Sequence, residues 1–145
     1  MTKLSKSKSQ YMFSSNIKFL QKAVVFDKLG KKFLSIKRSP HAFSRAGTWD
    51  LPGGCVSFGE NHEASLRREI KEETGLSVKK LKLIEVTTSY DKKNKIYTLF
   101  IGYSTKILSG KIILSCEHTD YKWVTSKEFT SASFLKNLVK LSHSK

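Results

Sequence analysis

Apolar positions along the chain fall into two periods, and the switches between them outline a mixed α/β fold. Residues 19–27 (FLQKAVVFD) have an apolar centre and read as a strand. Leu29 and Gly30 turn the chain, and Lys32 to Arg38 alternates, which predicts a hairpin. Residues 39–47 are a loop with Pro40 and Gly47. Thr48 to Leu51 is a short extended piece that stops at Pro52, Gly53 and Gly54. From Asn61 to Thr74 the period becomes helical, with Leu66 and Ile70 one turn apart as the buried stripe. Asn61 suits the N-cap, and Glu63 meets the positive end of the helix dipole. Gly75 suits the left-handed position that ends the helix, with Leu76 folding back behind it.

Residues 78–90 and 95–107 then read as two longer strands around an Asp91–Asn94 turn. Lys111 to Leu114 reads as a short strand after the turn at Ser109 and Gly110, and Tyr121 to Val124 as another. Thr125 or Ser126 caps a helical turn near Glu128. Residues 133–142 form an amphipathic helix carrying Phe134, Leu135, Leu138, Val139 and Leu141. Strands interleaved with helices predict a sheet sandwiched between helices.

Neither a repeat nor a linker divides the 145 residues, so the expectation is one domain, residues 16–145, behind a basic tail, residues 1–15. That tail has lysines among serines but lacks the apolar centre of a secretory signal. No stretch approaches the length of a membrane span. Two cysteines, Cys55 and Cys116, cannot build a disulfide framework, and neither has a CxxC partner that would point to zinc. A reducing, cytoplasmic setting is the resulting expectation. The net charge of +15 attracts polyanions or simply keeps the protein dissolved.

The acids are distributed more tellingly. Five of the twelve, Glu60, Glu63, Glu69, Glu72 and Glu73, fall within fourteen residues. On a helix Glu69, Glu72 and Glu73 share one face and repel one another. Arg68 can pair with Glu72, but one arginine cannot neutralise three carboxylates. A solvated acidic face is one account of this run. A salt-bridge lattice with Arg67, Arg68 and Lys71 is another. A third is a hard divalent cation, because Glu69 and Glu73 flank Leu66 at the edge of the buried face, and oxygen ligands suit Mg²⁺ or Mn²⁺.

Residues 54–76, GCVSFGENHEASLRREIKEETGL, resemble the Nudix box, Gly-x5-Glu-x7-Arg-Glu-U-x-Glu-Glu-x-Gly-U, where U is bulky and aliphatic. Gly54, Glu60, Arg68, Glu69, Ile70, Glu72, Glu73, Gly75 and Leu76 fill every fixed position, and Trp49 to Gly54 resembles the usual lead-in. The resemblance implies a Nudix-type α/β/α sandwich with a mixed sheet and a catalytic loop–helix–loop. It implies Glu69, Glu72 and Glu73 as metal-ligating and catalytic glutamates, and the Gly54 carbonyl as a backbone ligand. It makes Glu60 and Arg68 a structural pair tying loop to helix. On the helix Arg68 points away from the Glu69–Glu73 edge, which agrees with that role. Glu117, six residues before Trp123, resembles a loop glutamate that serves as a further ligand or general base.

The activity implied is Mg²⁺-dependent (or Mn²⁺-dependent) hydrolysis of a phosphoanhydride in a nucleoside diphosphate linked to another group. Glu69 is the first choice of general base and Glu117 the second. Arg38 and Arg45 are candidates for substrate phosphate, since arginine suits bidentate contact. Phe43, Phe58 and Tyr90 are candidates for stacking on a base. The region around Tyr90 to Lys92 lacks the proline that accompanies ADP-ribose hydrolysis in the family. The chain looks most like the MutT-like group, which acts on (d)NTPs, oxidised nucleotides or nucleotide sugars. The expected partner is a small nucleotide, with no membrane, and the protein is a monomer or homodimer. Two alternatives remain open: a non-catalytic nucleotide- or RNA-binding module, and an RNA end-processing pyrophosphohydrolase, although no recognised RNA motif is present.

Overall fold

The computed structural model describes residues 16–144, so the basic segment 1–15 lies outside the described residues. Eight strands and two helices follow in the order β1 (Ile17–Phe26), β2 (Phe33–Arg38), β3 (Trp49–Asp50), β4 (Gly53–Cys55), α1 (His62–Thr74), β5 (Ser77–Val78), β6 (Lys82–Asp91), β7 (Ile96–Ser109), β8 (His118–Val124) and α2 (Ser133–Ser144). β1 is central. One edge pairs in parallel with β7 over ten residues; the other meets β4 and, at Phe26, β2 in antiparallel fashion. β6 and β5 extend the sheet beyond β7, while β3 and β8 flank β2.

The alternation of β1 splits the core in two. Ala23 and Val25 pack with Leu66 and Ile70 of α1. Val24 points the other way and packs with Phe100 and with Leu135 and Leu138 of α2. The sheet therefore lies between two helices, the α/β sandwich expected. Burying an aliphatic side chain stabilises by about 1.5–3 kcal/mol, so Leu66 and Ile70 anchor the carboxylate-bearing helix firmly.

α1 begins and ends where its sequence signals stood. The Asn61 side chain accepts from the Ala64 N–H at 3.0 Å, and Gly75 takes φ 79° and donates to the Lys71 carbonyl. The hairpin is looser than expected, since β1 and β2 share only the Phe26–Phe33 pair. The single strand expected over 78–90 is broken: residues 79–81 leave the ladder, and the Val78 and Lys79 carbonyls accept from Arg67 at 2.8 and 3.1 Å. Lys111 to Leu114 forms no strand. Instead the Ile113 and Ser115 N–H groups bond to the Thr74 and Glu73 carbonyls, satisfying the open end of α1. β4, hidden in the glycine pair, was not foreseen. Among the described residues no helix is long and apolar enough to cross a membrane.

Candidate active site

β4 brings the box to the sheet. Its register sets Gly53 opposite Lys22 and Cys55 opposite Leu20. Gly53 has φ 136°, and a side chain there would collide with the Gln21 carbonyl. This close approach lets the Gly53 N–H donate to Glu73 Oε1 at 2.8 Å, locking helix to strand. One turn back, the Glu69 carboxylate lies against Gly54, 3.1 Å from where a Cβ would stand. Glu117 arrives on the loop before β8, its carbonyl accepting from the Ser39 N–H. Glu69, Glu73, Glu117 and Gly54 all line one cleft of about 600 Å³.

Glu72 does not line that cleft. Its side chain is 57% exposed and bonds to Arg68 at 3.0 Å. Arg68 also bonds to Glu60 at 3.1 Å, the expected brace between loop and helix. It does not point wholly away from the cleft edge, because its other contact is Glu69 Oε1 at 3.5 Å. Glu60 further accepts from the Ser57 N–H, which with Arg68 holds its carboxyl below the usual range. Arg68→Ala is expected to lower Tm by a few degrees as well as activity, read by thermal melts beside kinetics. Lost activity at unchanged Tm would contradict the bracing role.

Burial pushes the Glu73 carboxyl up to about 8; Lys22 and the Gly53 N–H counteract this, while Glu69 and Asp50 reinforce it. Burial likewise raises Glu69, with Arg68 opposing and Glu72 and Glu117 adding repulsion. Glu69 and Glu73, gathered so that both resist ionisation, fit a divalent cation, which would replace the missing counter-charge. Cation binding must then displace the Glu73 proton. At pH 7, titration in buffers of different ionisation enthalpy should show release of close to one proton per cation, falling towards zero above pH 9. Proton-neutral binding at pH 7 would contradict the buried acid.

The cleft also carries cations, and their organiser is Asp50, which no motif in the sequence marks out. Asp50 is fully buried, and its Oδ2 receives Lys22 at 3.0 Å, Arg38 at 3.2 Å and Arg45 at 3.3 Å. Burial alone would raise the Asp50 carboxyl, but the Lys22 and Arg45 charges outweigh it and hold it below the ordinary value. Lys22 also donates to the Leu51 and Gly53 carbonyls. Its signal was visible: a lysine inside the apolar run of β1. Arg45 is held at φ 48°, and its Nη1 has no hydrogen-bond partner among the described residues. Both arginines line the cleft.

Two cross-strand rows form the rest of the floor. Leu20, Phe100 and Thr87 make one, and Lys18, Thr98 and Ser89 the next. Phe134, at the start of α2, meets Phe100 edge-on at 5.2 Å and lies beneath the Arg45 guanidinium. These aromatics, not the three expected, border the cleft. Phe43 and Phe58 project fully into solvent from loops, and Tyr90 pairs with Tyr97 further along the hairpin. His118, also unforeseen, is buried at the start of β8, and burial lowers its pKa.

Comparison with known proteins agrees with this architecture. The NUDIX domain profile matches residues 21–142. An ADP-ribose pyrophosphatase of Methanocaldococcus jannaschii is 36% identical over 97 residues, covering 65% of this chain and 56% of that protein. A nucleoside triphosphatase, NudI, of Escherichia coli is 31% identical over 91 residues, covering 57% and 64%. The chain thus spans between half and two thirds of the length of these curated relatives. In fold it is similar to a MutT NUDIX hydrolase from Burkholderia pseudomallei, with TM-score 0.74 and 24% identity over 86% of this chain and 97% of that one. With the profile running through both core clusters and every fixed position of the box filled, this chain belongs to the NUDIX domain family.

Proposed function

We propose that the chain is a Mg²⁺-dependent hydrolase, with Mn²⁺ as a substitute, that cleaves a phosphoanhydride in a nucleoside diphosphate linked to another group. The observation that carries this reading is the gathering of Glu69, Glu73 and Glu117 with Arg38 and Arg45 in one cleft. Glu69, Glu73, Glu117 and the Gly54 carbonyl would hold the cation, with Glu72 turning in from the adjacent rim. When bound, the cation supplies Lewis-acid polarisation of the phosphate oxygens and makes the attacking water more acidic.

The chain's own groups do the rest. Glu69 takes a proton from the attacking water; its half-buried carboxyl, raised above the ordinary range, suits that role, and Glu117 is the second candidate. The water oxygen bonds to one phosphorus while the bridging P–O bond opposite breaks. Arg38 and Arg45, oriented by Asp50, receive the negative charge on the departing phosphate. Leu20 and Phe100 offer the nucleoside an apolar floor, and Thr87, Ser89 and Thr98 offer it hydroxyls. Nucleoside triphosphates, oxidised nucleotides and nucleotide sugars are the first substrates to try. The named activities of the two relatives add ADP-ribose. The two free, exposed cysteines accord with a reducing cytoplasm.

The test is phosphate or pyrophosphate release by the purified protein with Mg²⁺ or Mn²⁺ over those nucleotides and over capped and triphosphorylated RNA. Turnover of one class supports the reading and names the substrate. Tight binding of one ligand without turnover of any would replace it with the binding module.

A further inference from the structure

We propose that His118 supplies a nitrogen ligand beside the box carboxylates, so that Glu73, Glu117 and His118 hold a divalent first-row transition ion, probed here with Mn²⁺. The inference rests on the metal reading above and goes beyond its all-oxygen ligand set.

A ring nitrogen of His118 and one carboxylate oxygen each from Glu73 and Glu117 lie within 4.8 Å of one another. These residues come from the end of α1 and from the turn into β8, so the fold, not the local sequence, brings them together. The second observation is independent of the acids. His118 is only 6% exposed, and its Nδ1 has no hydrogen-bond partner among the described residues. Buried polar atoms are almost always satisfied, so a buried imidazole that stands beside two carboxylates and carries an orphaned nitrogen is short of a partner there. The backbone of His118 is fixed at both edges: its N–H donates to the Ser115 carbonyl at 3.1 Å, and the residue is in register with Arg38.

The chemistry of the set narrows the ion. Mg²⁺ binds oxygen and keeps much of its water, and it gains little from imidazole. Divalent first-row transition ions take imidazole beside carboxylate more readily than Mg²⁺ does, Mn²⁺ the least strongly of the series. The nearby cations are both engaged elsewhere, Lys22 by Asp50 and two carbonyls and Arg38 by Asp50 and the Ser44 carbonyl, so neither fills the position itself.

The test uses the full chain with Mn²⁺ or Mg²⁺ alone, without substrate. Calorimetry gives both affinities for wild type, His118→Asn and His118→Gln, with thermal melts reporting the fold. Pulsed EPR of bound Mn²⁺ reads directly coordinated nitrogen. Wild type is expected to show ¹⁴N coupling that disappears in His118→Asn. Mn²⁺ affinity should fall about tenfold or more in the variants and Mg²⁺ affinity by less than about twofold. Mn²⁺ bound without ¹⁴N coupling in wild type would overturn the inference even if neither variant folds, and leave the carboxylate reading standing. Coupling that survives in a folded His118 variant would overturn it too, by assigning the nitrogen elsewhere. Failure of wild type to bind either ion would overturn both.

Discussion

Glu73→Gln is expected to lower kcat by about 10²-fold or more while leaving Tm unchanged or higher. Both halves follow from one geometry. Glu73 is buried at the meeting point of β4 and α1, with Oε1 accepting from the Gly53 N–H. Glutamine keeps the shape and an acceptor oxygen for that bond, so the contact between helix and strand survives. It removes the charge on which the proposed cation binding depends. A carboxyl raised from 4.5 to about 8 is favoured in its protonated form by the fold. Such a group contributes stability that is complete below its unfolded pKa and is lost as pH rises through the folded one. The metal-free protein should therefore lose stability between about pH 4.5 and 8, and the variant should lack that part of the slope. Steady-state kinetics on the best substrate, with melts across that range, check both halves. Unchanged turnover in both Glu73→Gln and Glu72→Gln, with the fold intact, would end the metal-site assignment.

The largest loss of stability is expected at Asp50. Asp50→Leu leaves Lys22 buried without its counter-charge and frees Arg38 and Arg45 from their anchor. Stranding one member of a buried pair costs about 3–5 kcal/mol, or roughly 10 °C in Tm for a domain of this size. The double variant Lys22→Met/Asp50→Leu should recover most of that loss, because two apolar side chains replace the fully buried pair and the partly exposed Arg38 and Arg45 can turn to solvent. It should not recover activity, because Arg38 and Arg45 remain unanchored. A single variant as stable as wild type would show that the pair is not desolvated as described. Recovery of turnover in the double variant would separate Asp50 from the placement of the arginines.

The sequence disclosed the parts of this protein whose causes are local. Asn61, Gly75 and the Leu66–Ile70 stripe contain the whole reason for α1, and the box carboxylates travel with it. Partners distant in sequence were hidden. Arg38 and Arg45 were visible as arginines, but nothing in their surroundings named Asp50 as the group that turns them to the cleft. His118 reads as an ordinary loop residue until β8 sets it near Glu73. Phe134 reads as a core residue of an amphipathic helix, yet at the first turn of α2 it reaches the rim. The strand expected at Lys111 failed for a related reason. Its backbone donors are taken by the carbonyls at the end of α1, an arrangement that no alternation of apolar residues encodes.

The long parallel pairing of β1 with β7 also governs when this chemistry can come into being. From Ile17 opposite Tyr97 to Phe26 opposite Lys106, every paired residue waits for one eighty positions further along the chain. Closing so large a loop costs entropy before any contact repays it, and folds dominated by such contacts form slowly. On a ribosome, the box helix emerges well before the strand that completes the sheet behind it. The segment of residues 54–76 is thus not a self-sufficient cassette. Until β7 docks, its glutamates stay in water and repel one another on an unsupported helix. The nascent chain acquires its carboxylate-lined cleft only at the stage when it acquires a folded centre.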